Sequence, residues 1–292
     1  MLQIIEGESP DKYHSMRGEY ITSSNVKDYL QCPLTYVENL RWRHERQTPA
    51  MELGTAFHCR LLEGVETFAA RYFTGGPINE RTGKTYGSET AKFKEWEEAN
   101  AVGGKKLLSE ENFGLIGRML AAVETCPHAK MLLNMCDKRE LTMRGDIGDN
   151  VNAGRVKVQA RLDACGWGPQ MAAVMDIKTC DSLDGFERDI TTRGYFIQLE
   201  MYGVMLSEAV KIDGAMIDKY IVAVEKSAPN RCCVWKVDVP AAAKRIRRAF
   251  GEIATARMTG VYHHKYEELR NFVVKPWVAE QWGLQEASNG QE

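Results

Sequence analysis

An apolar run, Met171–Met175, leads directly into the charged triplet Asp176-Ile177-Lys178. The run is short and lies where the sequence otherwise indicates buried core, so it predicts the central strand of a β-sheet. Residues two apart in a strand share a face, and Asp176 and Lys178 would therefore lie side by side. Burying a carboxylate and an ammonium is costly unless they pair or bind a metal. The triplet therefore predicts a charged site on the sheet.

A second acid, Asp163, lies thirteen positions before Asp176, at the end of the alternating segment Arg155–Cys165. Two carboxylates at neighbouring strand ends suit Mg²⁺, which prefers oxygen ligands and retains several waters. A bound metal lowers the pKa of such a water and neutralises charge on a phosphate, while a nearby lysine can orient or deprotonate the water. Alone, Asp-x-Lys is more often a surface ion pair. Together with Asp163 it predicts metal-dependent cleavage of a phosphodiester.

The composition is that of a soluble globular protein, with 292 residues of which 44% are hydrophobic and 27% are charged. No apolar stretch reaches the length of about 18 residues that indicates a membrane span, so no membrane contact is predicted. The N-terminus lacks the basic start and apolar core of a signal peptide, which predicts an intracellular protein. A net charge of −2 disfavours broad coating of DNA but permits a local basic channel.

The eight cysteines contain no C-x-x-C pair, and the six histidines supply no matching zinc spacing. We therefore predict free thiols in a reducing compartment and no structural zinc.

The order of predicted elements indicates one domain, 1–292, without repeats or linkers. We expect an irregular lead-in at 1–20, a helical portion at 21–135, the catalytic sheet and its helices at 136–260, and a flexible tail at 283–292. Helical spacing predicts helices at about 22–39, interrupted at Cys32-Pro33, and at Met51–Glu63, Ser88–Asn100, Ser109–Cys126 and Pro127–Met135. Residues 73–87 are predicted to form a loop.

The second half of the chain alternates in the manner of strands. Strands are predicted at Lys138–Arg144, Arg155–Cys165, Met171–Thr179, Lys219–Lys226 and Cys232–Val239, and helices at about 183–192, 195–209 and 240–259. This order predicts an α/β fold whose central mixed β-sheet is flanked by helices, preceded by a helical N-terminal region.

Four short motifs resemble the PD-(D/E)XK nuclease superfamily, which has a restriction-endonuclease-like core. The nearest resemblance is to the exodeoxyribonuclease VIII (RecE-type) and phage recombination exonucleases. In chain order the motifs are Gly54-Thr55-Ala56-Phe57-His58, similar to Gly-x-x-x-His; Arg161-Leu162-Asp163, similar to Arg-Pro-Asp; Asp176-Ile177-Lys178-Thr179, similar to Asp-x-Lys-Thr; and Gln198-Leu199-Glu200-Met201-Tyr202, similar to Gln-x-x-x-Tyr. The resemblance spans residues 20–240.

The resemblance implies a role for each matching residue. Metal ligands would be His58, Asp163, Asp176 and the backbone carbonyl of Ile177, and the metal would be Mg²⁺, with Mn²⁺ as a substitute. Lys178 would position or activate the attacking water, and Gln198 and Tyr202 would flank the site. Glu140 matches an upstream acid found in parts of the superfamily. Some relatives carry an iron–sulfur cluster, but this chain has no C-terminal cysteine triplet to accompany Cys32, so no cluster is predicted.

The activity implied is that of a 5′→3′ exonuclease on double-stranded DNA ends. It would leave 3′ single-stranded tails for phage-type homologous recombination with a RecT-type single-strand annealing protein, in the cytoplasm of a bacterium or phage-infected host. Relatives form rings, which implies a ring-forming homo-oligomer. Two alternatives stay open: a structure- or sequence-specific endonuclease of the same fold, and a catalytically silent DNA-binding subunit.

Basic clusters supply candidate DNA contacts. They are Arg41 and Arg43, Arg81 and Lys84 in the glycine-rich loop, and Lys244, Arg245 and Arg248 on the last long helix. A solvated charged face is an equal alternative for the last group. At the site itself, the structural alternatives are a core histidine at 58, helix packing at 198 and 202, and an ion pair between Asp163 and Arg161.

Overall fold

The computed structural model describes residues 2–42, 48–148, 154–169, 171–264 and 266–284. The strands are β1 (Leu2–Ile5), β2 (Tyr72–Phe73), β3 (Lys106–Leu107), β4 (Lys138–Ile147), β5 (Val156–Trp167), β6 (Ala172–Cys180), β7 (Ile217–Glu225) and β8 (Cys232–Lys236). The helices of the N-terminal half are α1 (Pro10–Ser15), α2 (Ser23–Gln31), α3 (Pro33–Trp42), α4 (Pro49–His58), α5 (Gly64–Arg71), α6 (Ala91–Asn100), α7 (Glu110–Thr125) and α8 (Pro127–Met135). Those of the C-terminal half are α9 (Phe186–Thr192), α10 (Tyr195–Val210), α11 (Pro240–Thr259) and α12 (Pro276–Gln281).

Six strands form the central sheet in the order β1-β4-β5-β6-β7-β8. Neighbours pair antiparallel except β6 and β7, which pair in parallel. A parallel pair requires a crossover connection, and α9 and α10 supply it between β6 and β7. The predicted mixed sheet is therefore confirmed. The short strands β2 and β3 pair with each other outside it.

Helices cover both faces of the sheet, as predicted. On one face α2, α10 and α11 form a core whose buried residues include Val26, Leu199, Ile246 and Val174 of β6. On the other face α4, α7 and α8 form a second core whose buried residues include Phe57, Met119, Leu132 and Met175 of β6. Strand β6 therefore sends alternate side chains into opposite cores. No helix among the described residues is long and apolar enough to cross a membrane.

The N-terminal segment is ordered, in contrast to the irregular lead-in expected at 1–20. Strand β1 pairs with β4 from Leu2↔Gly145 to Ile5↔Thr142. Helix α1 follows, with the Ser9 side chain accepting a hydrogen bond from the Lys12 amide at its N-terminus. Four residues of strand and six of helix are too short to give a recognisable period, which is why the sequence pattern missed them.

The predicted helix over Met51–Glu63 is divided in the structure. Helix α4 ends at His58, and a π-helical turn, Cys59–Glu63, follows immediately. Gly64 has a φ of 90°, as expected for a helix stop, but it also begins α5. Strand β4 likewise extends to Ile147, beyond the predicted Arg144. Of the predicted tail, residues 285–292 lie outside the described residues.

Gly166 fixes how closely α8 lies on the sheet. A Cβ built at this position would lie 2.3 Å from the carbonyl oxygen of Met135 and 3.2 Å from the Cα of Cys136. Both are backbone atoms at the end of α8, whose last residue is Met135 and whose C-cap is Cys136. A side chain at position 166 would therefore force the helix end away from β5.

Gly166→Ala should therefore lower the free energy of unfolding by about 1–3 kcal/mol, the usual cost of overpacking a core. Urea denaturation measures the change. Gly168→Ala is the matched control, because nothing lies within 4 Å of a Cβ at that position. Equal stability of the two variants would show that α8 does not depend on this contact.

Candidate active site

The site begins where β5 and β6 separate. Their antiparallel register runs from Trp167↔Ala172 to Ala164↔Met175. At the next position Asp163 Oδ2 accepts a hydrogen bond of 2.7 Å from the Ile177 amide. A side-chain carboxylate thus takes the place of a backbone ladder partner, which satisfies a buried amide and holds the carboxylate at the point where the strands separate.

Asp176 is held in place by two neighbouring side chains, Gln198 from α10 and Lys178 from its own strand. Its side chain is 1% exposed. Gln198 Nε2 donates to Asp176 Oδ1 and to Tyr202 Oη, both at 2.8 Å. Lys178 Nζ lies 2.6 Å from Asp176 Oδ2. Among the described residues that buried oxygen has no partner that meets hydrogen-bond geometry, so the attraction between Lys178 and Asp176 is one of charge. The Asp-x-Lys and Gln-x-x-x-Tyr motifs therefore meet in space.

His58 reaches the site from α4. Its Nδ1 lies 3.6 Å from Asp163 Oδ2. A Cβ at Gly54, one turn earlier, would lie 3.5 Å from Thr179 Oγ1, so α4 packs directly on β6. Buried Phe57 anchors the same helix in the core. The glycine and histidine of the first motif therefore act together, one allowing close approach and the other supplying an imidazole.

Glu140 completes the cluster from β4. Its φ of 48° is unusual for a residue with a side chain, and such strain is concentrated at functional sites. It lies opposite Asp163, between the pairs Arg139↔Ala164 and Leu141↔Leu162. Ligand atoms of His58, Glu140 and Asp163 all lie within 4.8 Å of one another. We call these three residues the ligand cluster.

Comparison with known families matches residues 22–271 to the PDDEXK-like domain of unknown function (DUF3799). This chain belongs to that family. The match agrees with the mixed α/β sheet just described.

Solved structures agree on the fold. The crystal structure of a "putative exonuclease" from Eubacterium rectale aligns with a TM-score of 0.55 over 95% of this chain and 98% of that chain, at 14% sequence identity. At that identity the likeness shows the fold alone. Together with the family match, it confirms the predicted fold class, a mixed α/β PDDEXK-like domain. The structure of SSO0001 aligns with a TM-score of 0.32 over 59% of this chain and 70% of that chain, at 15% identity, which carries no argument. No curated protein matches the chain.

Burial and mutual repulsion set the charges of this PDDEXK-like domain. Burial raises the pKa of Asp163 to about 7, and the charge of Asp176 adds to the shift. Burial also raises the pKa of Glu140, with a further contribution from Asp163. For His58, burial lowers the pKa and the charge of Lys178 acts in the same direction. A divalent cation would stabilise the two carboxylates, and a neutral imidazole is the form that binds metals. The ligand cluster therefore fits a metal.

Lys178 is held as an ammonium. Burial alone would lower its pKa, but the charges of Asp176 and Asp163 outweigh burial and raise it. Its Nζ also lies 5.0 Å from the centre of the Tyr195 ring, a cation–π contact. Tyr195 was not among the predicted site residues, although it lies three positions before Gln198 at the start of α10. A protonated lysine donates hydrogen bonds and does not act as a base.

A cleft of about 1120 Å³ contains these residues. Its lining includes His58, Glu140, Asp163, Lys178, Gln198 and Tyr202. An ion pair between Asp163 and Arg161 was the structural alternative to a metal role for Asp163. The structure instead pairs Arg161 Nε with Glu140 Oε2 at 2.6 Å. The predicted metal role of Asp176 and of the Ile177 carbonyl stays a prediction, since the described ligand cluster contains Glu140 in their place.

The candidate DNA contacts lie elsewhere. None of Arg41, Arg81, Lys84, Lys244, Arg245 and Arg248, all within the described residues, lines the cleft. Arg43 lies outside the described residues. On α11, Arg245 Nη2 and Arg248 Nε lie 2.9 Å and 2.8 Å from the Glu252 carboxylate. The Glu252 carboxylate therefore offsets part of the positive charge on α11 from which DNA contact was predicted.

Asp163→Asn should change how stability depends on pH in the metal-free protein. The protonated Asp163 carboxyl stabilises the fold fully below its unfolded pKa of about 4, and this contribution is lost as the pH rises through about 7. The free energy of unfolding of the wild type, in EDTA, should therefore fall relative to that of Asp163→Asn as the pH rises through this window. Urea denaturation at several pH values measures the difference.

Asp218→Asn, on neighbouring β7, is the control. Burial alone would raise the pKa of Asp218, but its hydrogen bonds to Lys236 and Tyr220 outweigh burial and lower it. Its contribution is therefore present above the unfolded pKa and is lost only as the pH falls through the lower folded value. A difference between wild type and Asp163→Asn that does not vary with pH would contradict the charge state assigned to the site.

Proposed function

We propose that this PDDEXK-like domain is a divalent-metal-dependent deoxyribonuclease. The observation that carries the proposal is the convergence of four separate elements, α4, β4, β5 and β6. They line one cleft with His58, Glu140, Asp163 and Lys178, and the buried Asp176 carboxylate lies 2.6 Å from Lys178 Nζ. Burying each of these groups costs free energy unless it is paired, hydrogen-bonded or bound to a metal. Acidic ligands beside a lysine suit attack on a phosphodiester, whose charge must be neutralised as the bond breaks.

The ligand cluster, His58, Glu140 and Asp163, would hold the metal. Two carboxylates suit Mg²⁺, and the imidazole extends the choice to Mn²⁺. When bound, such an ion lowers the pKa of a water and neutralises phosphate charge.

Lys178 would orient the attacking water or a phosphate oxygen by donating hydrogen bonds from its ammonium. Asp176 holds Lys178 in place through their 2.6 Å contact. Gln198 in turn holds Asp176, and its second bond to Tyr202 fixes the amide orientation. Burial raises the pKa of Tyr202 well above its usual range, so Tyr202 stays neutral and adds no charge to the cleft. This chain of contacts keeps Lys178 directed at the reacting phosphate.

The substrate we propose is the end of double-stranded DNA, degraded 5′→3′ to leave 3′ tails. The support is the motif resemblance to RecE-type exonucleases, together with the likeness in fold to a protein named as an exonuclease. The same resemblance supports a role in phage-type recombination with a RecT-type annealing protein, a ring-forming homo-oligomer and a cytoplasmic location. Light scattering of the purified protein tests the ring, which a monomer at all concentrations would exclude.

Duplex DNA labelled at one 5′ or one 3′ end tests activity and polarity together. With Mg²⁺, the 5′ label should leave as mononucleotide while the 3′-labelled strand shortens gradually, and EDTA should stop both. Asp176→Ala should slow the reaction at least about 100-fold, because Lys178 loses the group that positions it. Asp176→Asn is the second variant, since it keeps the shape of the buried side chain.

Asp218→Asn serves as the matched control and should digest at the wild-type rate. Loss of the 3′ label first would reverse the proposed polarity, and cutting of closed circular DNA would favour the endonuclease alternative. A wild type without Mg²⁺-dependent digestion, or an Asp176→Ala variant as fast as wild type, would contradict the proposed function.

A further inference from the structure

A buried polar network joins the N-terminal segment to the ligand cluster. Arg161 is its centre. Its Nε donates to Glu140 Oε2 and its Nη1 donates to the backbone carbonyl of Glu8, both at 2.6 Å. The guanidinium is planar, so the direction of Nε depends on where Nη1 is bound. The orientation of the Glu140 carboxylate is thereby linked to the position of residue 8.

Residue 8 is itself firmly held. Arg144 Nη1 and Nη2 donate to the two carboxylate oxygens of Glu8, each at 2.8 Å. The side chains are 9% and 6% exposed. Burial alone would raise the pKa of Glu8, but the hydrogen bond and charge of Arg144 outweigh it and lower the pKa. Such a two-pronged, buried pair fixes geometry more strongly than a surface ion pair does.

A second tie fixes the helix that follows. Arg144 Nε donates to Gln159 Oε1 at 3.1 Å, and Gln159 Nε2 donates to the Tyr13 carbonyl at 3.2 Å. Buried Gln159 and Arg161 are two apart on β5, so they share a face of the strand. We call Glu8, Arg144, Gln159 and Arg161 the N-terminal brace.

Glu140 needs an external restraint of this kind. Its backbone has a φ of 48°, which a residue with a side chain adopts only when its surroundings impose it. Its carboxylate is 18% exposed, and Arg161 Nε holds Oε2 at 2.6 Å. A carboxylate turned away from the other two ligands would be a poor metal ligand.

We infer that the N-terminal brace is a positioning device for the metal site, through which Glu8 controls the metal affinity of Glu140 by way of Arg161. The inference rests on the proposed function in that Glu140 is taken as a metal ligand. Glu8 and Arg161 are then positioning residues. The segment from β1 to α1 then helps to orient a metal ligand as well as packing against the sheet.

Isothermal titration of the full-length protein with Mn²⁺ tests the inference without requiring catalysis. Arg161→Lys keeps the positive charge but removes the fork that reaches both partners, so the Kd for Mn²⁺ should rise about 10- to 100-fold, as for other residues that orient a ligand. Glu8→Ala keeps the carbonyl but removes its anchor, and the Kd should rise by less. Glu8→Gln is the second variant, should Glu8→Ala fail to fold.

The double variant Glu8→Ala/Arg161→Lys separates control through Arg161 from general loosening. If Glu8 acts through Arg161, the double variant should bind Mn²⁺ no more weakly than Arg161→Lys alone. Glu19→Ala is the matched control, because Glu19 pairs on the surface with Lys157 of the same strand. That variant should bind Mn²⁺ as the wild type does.

Unchanged Mn²⁺ affinity in Arg161→Lys, or fully additive losses in the double variant, would overturn the inference while leaving the proposed function intact. A wild type that binds no Mn²⁺ would overturn the proposed function, and the inference with it. Thermal unfolding in EDTA measures the stability of each variant separately from metal binding. A variant that has lost only stability should still bind Mn²⁺ with the wild-type Kd in its folded fraction.

Discussion

The hydrogen bond from the Ile177 amide to Asp163 is the interaction on which the site depends. It ends the β5–β6 ladder and replaces a backbone carbonyl by a carboxylate. Because the strands separate there, His58 from α4 and Glu140 from β4 can approach the same carboxylate. Asp176, on β6, contacts Lys178 of the same strand. A regular sheet would pair the two strands and leave no space for a reacting group.

This arrangement buries ionisable side chains, which is electrostatically unfavourable for their charged forms. The pKa of Asp163 and that of Glu140 are raised by burial and by neighbouring negative charge, while that of His58 is lowered. Each shift disfavours the charged form. A nearby cation would reduce or reverse the shifts of the two carboxylates, whereas it would lower the pKa of His58 further and so keep the neutral imidazole that binds metals. The fit of the ligand cluster to a metal ion therefore depends on the whole environment. The same environment keeps Lys178 protonated, which makes it a hydrogen-bond donor.

Much of this could be predicted from the sequence, and what could not has physical reasons. The strand over Met171–Thr179 follows from its apolar run and is found as β6, and the spacing of four places Gln198 and Tyr202 on one face of α10. The place of His58 near Asp163 was implied by the motif resemblance, and the structure has His58 Nδ1 3.6 Å from Asp163 Oδ2. The pairing of β1 with β4 was not predicted, because four residues are too few to show a strand period and the pairing is set by the tertiary structure. The contact of Arg161 with Glu140 was not predicted, because it joins residues of two strands and the positive φ of Glu140 has no signal in the sequence.

The central claim is that the separated strands build a metal site from His58, Glu140 and Asp163. Crystals grown with Mn²⁺ and measured at a wavelength where manganese scatters anomalously test it directly. We expect an anomalous peak between the imidazole and the two carboxylates, with Asp163 still accepting the hydrogen bond from the Ile177 amide. A peak elsewhere, or none at a saturating Mn²⁺ concentration, would contradict it.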